Sequence, residues 1–159
     1  MKTILVPIDF SDATPAVAAA AIDLAQAVKA QVVLLHVVPP VIVATEYSVS
    51  LEGFAAEAAR KVAERLRHWQ QEFRAAGIAT EVERLDGPPA ECIRAVAERI
   101  IADYIVVGSH GHGAIYDLLI GSTARLLLRK APCPLLIVPV SSSVPRSDQK
   151  RPAGELTRV

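Results

Sequence analysis

Glycines and hydroxyl-bearing residues in the last third of the chain have the types and spacing to bind an anion. Gly108 and Gly111 follow an apolar run, and Gly121 precedes Ser122 and Thr123 at the start of a helical pattern. Glycine lets the backbone approach a ligand closely, and the first turn of a helix presents unpaired N–H groups and the positive end of its dipole. This arrangement predicts a phosphate site.

Two familiar nucleotide motifs are missing from the sequence. No Gly-x4-Gly-Lys-[Ser/Thr] occurs, which excludes a P-loop. The segment 9–15, after the first apolar run, contains no glycine, so the dinucleotide fingerprint is missing from its usual position. A phosphate site is therefore expected only after the fourth predicted strand.

Short apolar runs alternate along the chain with longer helical patterns. Runs rich in Val, Ile and Leu predict buried strands of a parallel sheet at 3–8, 31–38, 104–107 and 135–140. A run in which apolar and charged residues alternate predicts an edge strand at 79–85. Helices are expected at 14–29, 54–76, 89–102 and from 122 to just before Pro132. The alternation predicts one α/β domain over 1–140, an open five-stranded parallel sheet with helices on both faces.

Patterns within these elements predict caps and packing. Thr14 is expected to cap the first helix, with Pro15 at the first helical position. His36 is expected to be a hydrogen-bonded histidine of the core. The apolar stripe of the second helix comprises Phe54, Ala58, Val62, Leu66, Trp69 and Phe73. The inward face of the third helix comprises Ile93, Val96, Ala97 and Ile100.

Two segments differ from this pattern. Residues 39–52 include Val41-Ile-Val43, which is too apolar for an ordinary solvated loop. This segment either covers a pocket or partner surface or packs as a satellite of the core. Residues 141–159 are rich in serine, proline and charged residues and are predicted to form a disordered tail.

Composition excludes several classes of partner. Lysine plus arginine equals aspartate plus glutamate, 17 each, and aromatic residues make up 4% of the chain, so neither nucleic-acid nor membrane binding is expected. No apolar run approaches the roughly 20 residues that span a bilayer, and the N-terminal run is too short for a secretion signal, so a cytoplasmic protein is expected. Cys92 and Cys133 are expected to be free thiols.

Asp9 ends the first predicted strand. In open parallel sheets, ligands bind beyond the carboxyl ends of the strands, where the strand order reverses. If the first and fourth strands are neighbours at that reversal, Asp9 and Gly108 flank one crevice. The carboxylate could then accept hydrogen bonds from ribose hydroxyls or help to hold a metal on phosphates. The alternative is that Asp9 caps the first helix through a backbone N–H.

Together these residues resemble the universal stress protein family. The resemblance rests on Gly108-x2-Gly111-x9-Gly121-Ser122, on the start Ile4-Leu-Val-Pro-Ile-Asp9-Phe-Ser, on Leu34-Leu-His-Val37 and on Ala131-Pro-Cys-Pro-Leu-Leu-Ile-Val138. It covers about residues 1–140. It implies a Rossmann-like sheet of strand order 3-2-1-4-5, of the adenine nucleotide α-hydrolase-like type. Family members with the complete glycine pattern resemble ATP binders.

The resemblance also implies roles for individual residues. Pro7, Ile8 and Asp9 would line the adenosine, with Asp9 on the ribose, and the backbone of Val37 would contact adenine. Ribose and phosphates would be wrapped by Val107, Gly108, Ser109, His110, Gly111, His112 and Gly113. Gly121, Ser122 and Thr123 would bind the terminal phosphates of ATP or another adenine nucleotide, with Mg²⁺. A homodimer would form through the fifth strand, residues 134–140.

The roles of three side chains near the phosphate loop have two interpretations each. Arg125 stands where relatives often carry glutamate, and it either faces the phosphates or points into solvent. His110 and His112 either contact phosphates, with a possible dependence on pH, or are exposed loop residues. No further ligand near them in sequence supports a metal site.

The function implied is a nucleotide-dependent regulatory module of the stress response, sensed by an unidentified protein partner or by the dimer. The alternative is a slow ATPase or phosphoryl-transfer enzyme. No lysine lies within the phosphate loop and no obvious catalytic base lies beside it, which disfavours the enzyme. The intact glycines disfavour a scaffold that binds no nucleotide.

Overall fold

Five strands and four helices alternate along the chain in the computed structural model, which describes residues 1–40, 51–109 and 120–139, excepting the side chains of 51–55. In chain order the elements are β1 (Lys2–Pro7), α1 (Thr14–Val28), β2 (Ala30–Val38), α2 (Leu51–Ala75), β3 (Thr80–Asp86), α3 (Pro89–Arg99), β4 (Tyr104–Gly108), α4 (Ser122–Lys130) and β5 (Leu135–Val138). Each predicted element is present.

The strands form one parallel sheet in the order β3-β2-β1-β4-β5, which confirms the expected topology and the edge position of β3. β1 pairs with β2 over six residue pairs, from Lys2 to Pro7. Its pairing with β4 covers two, Ile4 with Tyr104 and Leu5 with Ile105. β1 and β4 therefore separate beyond Leu5, and a crevice opens at their carboxyl ends.

Successive side chains of β1 enter two different cores, because neighbouring residues of a strand face opposite sides of the sheet. Ile4 and Val6 pack with Val17 of α1 and Phe73 of α2. Leu5 packs on the other face with residues of α3 and α4. Burial of one such aliphatic side chain stabilises the fold by about 1.5–3 kcal/mol, so both helical layers are held firmly to the sheet.

The start of α1 differs from the expectation that Thr14 caps it. Ala13 occupies the capping position and Thr14 lies within the helix, followed by Pro15 in the first turn. The Thr14 hydroxyl is buried and has no hydrogen-bond partner among the described residues. A backbone bond from Thr14 N–H to the Ser11 carbonyl, 3.0 Å long, closes the preceding turn instead.

Most of the predicted apolar faces are confirmed. In α2, Leu66 and Phe73 are buried, and Val62 and Trp69 pack partly buried against the same core, whereas Ala58 is exposed. The inward residues predicted for α3 all pack against the second core. The position of Phe54 in the stripe falls outside the described side chains.

Two boundaries differ for identifiable reasons. α3 ends at Arg99 rather than near Ala102, because Ile101 takes the left-handed backbone conformation at φ 51°. β5 ends at Val138, and the next residue, Pro139, has no N–H to continue a strand ladder.

Cys92 and Cys133 are free and half-buried, as expected. Burial raises the pKa of the Cys133 thiol, and the charge of Asp103 raises it further. Among the helices that the structure describes, none is both long and apolar enough to cross a bilayer. The predicted tail, 141–159, and residues 41–50 of the apolar loop fall outside the described residues.

Candidate functional site

The loop after β1 places Asp9 at the crevice between β1 and β4. The Ile8 N–H donates to the Leu35 carbonyl of β2 at 2.9 Å, which continues the sheet one residue past the end of β1. Asp9 Oδ1 then accepts from the Ser11 backbone N–H at 3.0 Å and from the Ser11 hydroxyl at 2.6 Å. Asp9 therefore organises a turn ahead of α1. Ala13 holds the capping position of α1, so the Ser11 backbone N–H that donates to Asp9 lies in the turn before the helix and not in its first turn.

His36 of β2 is hydrogen-bonded to the same loop. Its Nδ1 lies 2.8 Å from the Ile8 carbonyl oxygen, and since a carbonyl can only accept, Nδ1 carries the proton. The side chain is buried, which confirms the expected hydrogen-bonded core histidine. Burial lowers the pKa of His36, and the positive charges of Arg84 and Arg65 lower it further.

The chain re-enters the crevice at the start of α4. The Ser109 N–H donates to the Val138 carbonyl at 2.8 Å, and the Gly121 N–H donates to the Ser109 carbonyl at 2.7 Å. These two bonds bring the start of α4 against the carboxyl end of β4. No side chain of the described residues caps α4 at Gly121. The first N–H groups of a helix generally attract an anion, together with the positive end of the helix dipole.

One cavity of about 500 Å³ occupies the crevice, a volume typical of small-molecule sites. It is lined by every predicted site residue that the structure describes, namely Pro7, Ile8, Asp9, Val37, Val107, Gly108, Ser109, Gly121, Ser122 and Thr123. His110, Gly111, His112 and Gly113 fall outside the described residues. The structure thus brings the described residues together, while their contacts with a ligand stay a prediction.

Sequence patterns did not identify the rest of the cavity wall. Pro89 and Ile93, from the start of α3, form one part of it. The remaining wall residues are Ala13, Thr14, Val17, Leu35, His36, Pro39 and Ala124. The turn residues Gly87-Pro-Pro89, which follow β3 at the same edge of the sheet, were an available signal for the α3 contribution.

The charges around the cavity are few. Asp9 is the one lining residue with a formal charge among those that the structure describes. Arg125 is exposed and does not line the cavity, which favours its solvent-facing alternative. In the described wall, the backbone N–H groups and dipole of α4 are therefore the part that is chemically suited to an anion.

Comparisons with known proteins agree with this architecture. A sequence model of the universal stress protein family matches residues 1–139. A universal stress protein of Thermus aquaticus is 37% identical over 139 residues, covering 86% of this chain and 98% of its own. The solved structure of UspA from Lactobacillus plantarum is 26% identical, with a TM-score of 0.73, and covers 86% of this chain and 97% of its own.

A third similar protein was solved with a ligand. It is a universal stress protein in complex with cAMP, 25% identical to this chain, with a TM-score of 0.65 over 86% of this chain and 96% of its own. The family match spans both helical layers and the whole sheet described above. This chain belongs to the universal stress protein family.

Proposed function

We propose that this protein binds an adenine nucleotide, ATP, in the cavity between β1 and β4. The observation that carries the proposal is the convergence of Asp9, Gly108 and the α4 start on one cavity at the strand-order reversal. Open parallel sheets bind nucleotides at such a reversal. The related protein solved with cAMP supports an adenine nucleotide as the ligand class.

Each part of the nucleotide has a chemically suitable part of the wall. The phosphates lie at the start of α4, where backbone N–H groups and the hydroxyls of Ser122 and Thr123 are donors. The ribose hydroxyls donate to the Asp9 carboxylate. Adenine lies against the apolar side of the cavity and contacts the backbone of Val37.

Mg²⁺ accompanies ATP in this proposal and is held chiefly by phosphate oxygens. Described residues include no group of three or more His, Cys, Asp or Glu that could hold a metal by themselves. Such a division of ligands is usual for Mg²⁺, which retains water and binds one or two carboxylates besides the phosphates. Bound Mg²⁺ supplies the positive charge that the described wall, with Asp9 as its charged residue, does not.

The proposed role is that of a cytoplasmic, nucleotide-dependent regulatory module of the stress response. A ligand that contacts both the β1–α1 loop and the α4 start favours the arrangement in which both are ordered, and a partner can sense that arrangement. The competing role is a slow ATPase. Steady turnover of bound ATP at about 1 s⁻¹ or faster would favour the enzyme over the module.

The module is proposed to act as a homodimer through β5. This strand is the outer edge of the sheet beside β4, and its Leu136 side chain is 40% exposed. An apolar strand edge of this kind is prone to pair with another chain. A second copy of β5 would cover both the unpaired backbone and the exposed leucine.

Calorimetric titration with ATP and Mg²⁺ tests the nucleotide proposal. Native protein is expected to bind, and Asp9→Asn to bind about tenfold or more weakly because it loses a charge-assisted acceptor. Asp12→Asn is the matched control, since Asp12 is exposed in the same loop and does not line the cavity. Absence of binding by native protein at millimolar ATP would refute the proposal.

Gly121→Val provides a second test of the same site. The backbone of Gly121, at φ −55° and ψ 155°, is in a region that any residue can adopt, so the variant is expected to fold. Its side chain would intrude where α4 begins and block the phosphates. Unfolding in urea verifies the fold, and undiminished ATP binding by the folded variant contradicts the proposed phosphate position.

A further inference from the structure

The loop that carries Asp9 is held by side chains from two distant elements. Both carbonyls that flank Asp9 accept a hydrogen bond from such a side chain. His36 Nδ1, from β2, donates to the Ile8 carbonyl oxygen at 2.8 Å. Arg65 Nη2, from α2, donates to the Phe10 carbonyl oxygen at 2.9 Å. The Ile8–Asp9 peptide unit is therefore tied to the sheet, and the Phe10–Ser11 peptide unit is tied to α2.

The Phe10 side chain contacts both of these side chains. The Arg65 guanidinium carbon lies 4.4 Å from the centre of the Phe10 ring. The Phe10 ring also lies 4.5 Å from the His36 ring, centre to centre, at 31°. Phe10 thus contacts both a cation and an imidazole, and it is itself 8% exposed.

The backbone of Phe10 shows that this arrangement must be maintained against a local preference. Phe10 has φ 61°, a left-handed conformation that a bulky residue rarely adopts. Such conformations persist where the surroundings over-determine them. Directly after this residue, Ser11 donates both its N–H and its hydroxyl to Asp9 Oδ1, so the conformation of Phe10 fixes where the partners of the carboxylate lie.

We infer that Arg65 is a positioning residue for Asp9, acting through Phe10 from a helix that is remote in sequence. Arg65 is exposed and does not line the cavity, so it contributes no contact to a ligand. Its guanidinium instead fixes the Phe10 carbonyl and ring, which set the turn on which the carboxylate is mounted. The inference rests on the proposed function in assigning Asp9 to the ribose hydroxyls.

A ligand-free measurement tests the clamp itself. Arg65→Gln removes the stacking cation and is expected to speed hydrogen exchange of the Ser11 amide, which bonds Asp9, by about tenfold. Arg67→Gln is the control, because Arg67 lies on the same helix and bonds the Ala63 carbonyl within it. An unchanged Ser11 exchange rate in Arg65→Gln overturns the inference whether or not the protein binds nucleotide.

A comparison of two nucleotides tests the action through Asp9. Calorimetry is run with ATP and with 2′,3′-dideoxy-ATP, which lacks the ribose hydroxyls. Both Asp9→Asn and Arg65→Gln are expected to weaken the binding of ATP by about tenfold. Their affinity for 2′,3′-dideoxy-ATP should stay within about twofold of that of the native protein. Equal losses for both nucleotides in Arg65→Gln would assign Arg65 a merely structural role and overturn the inference.

Failure of the proposed nucleotide binding can be distinguished from failure of the inference about Arg65. Native protein that binds neither nucleotide refutes the proposed function, and the Ser11 exchange rate still decides whether Arg65 holds the loop. Arg65→Lys retains the cation but not the planar group that both stacks and donates to the carbonyl. It is expected to restore less than half of the lost ATP affinity, and full restoration would overturn the geometric basis of the inference.

Discussion

The folded protein should lose stability as the pH falls through the range in which His36 takes up a proton. Burial is the main cause that lowers the pKa of His36 in the fold, and Arg84 and Arg65 add to it. The hydrogen bond to the Ile8 carbonyl and the charge of Asp9 oppose the change without reversing it. The buried imidazole is therefore harder to protonate in the folded state than in the unfolded chain.

The sign and size of the effect follow from this difference. In the unfolded chain His36 titrates near its ordinary pKa of 6.5. Its contribution to stability is complete above that pH and is lost as the pH falls through the lower pKa of the folded state, because the unfolded chain binds the proton first. One proton sets an upper limit of about 1.4 kcal/mol per pH unit on the slope.

Urea unfolding at pH 7.5, 6.5 and 5.5 measures the effect while most carboxylates stay ionised. His36→Asn is the informative variant, since the Asn amide nitrogen can donate to the Ile8 carbonyl in place of Nδ1 but does not titrate. His68→Asn, at an exposed position of α2, is the control. Native protein and His68→Asn should lose stability on acidification, and His36→Asn should lose less. Parallel losses in all three proteins would refute the reasoning.

Three further changes test separate features. Leu136→Lys on the β5 edge should convert a dimer into a monomer in analytical ultracentrifugation, whereas Leu128→Lys, 53% exposed on α4, should not; a monomeric native protein contradicts the dimer. Ile101→Asn should raise the free energy of unfolding by about 1 kcal/mol, because Ile101 is strained at φ 51° and 83% exposed, and a loss of stability would refute the strain. Gly87→Ala should lower the free energy of unfolding by about 1–3 kcal/mol, since Gly87 has a φ of 150° and a Cβ there would lie 2.8 Å from Cys92 Sγ. Adding Cys92→Ala to the Gly87→Ala protein should recover part of that loss, and no recovery would exclude the contact with Cys92 as a cause.

The strands and helices were predictable because apolar periodicity depends directly on burial. Ile4, Val6 and Leu5 read as a continuous apolar run because opposite faces of β1 enter two cores. The Thr14 cap was wrong because capping depends on the local backbone, and a backbone bond to Ser11 closes the preceding turn instead. Propensity indicates that a helix starts nearby, without specifying which group completes its first turn.

The candidate site was predictable where its residues follow strands, and less so elsewhere. Asp9, Gly108 and Gly121 could be placed together because parallel strands end at the same edge of the sheet. Ile93 and Arg65 could not, since their positions depend on how α3 and α2 pack on the sheet. Arg65 lies 55 residues from the Phe10 carbonyl that it holds, and its exposed helical position resembles that of any solvated arginine.

The short pairing between β1 and β4 has a consequence for how the molecule comes apart. Two residues pair at this boundary and six between β1 and β2, so the sheet is least tightly paired at the carboxyl ends of β1 and β4. The Asp103 N–H still donates to the Thr3 carbonyl at 2.8 Å and Val106 packs in the same core as Val17, so an opening there would be local to the crevice, without complete unfolding. A molecule bridging Asp9 on one side of the crevice and Ser122 on the other would act as a removable cross-link, and its concentration would set how often the crevice opens.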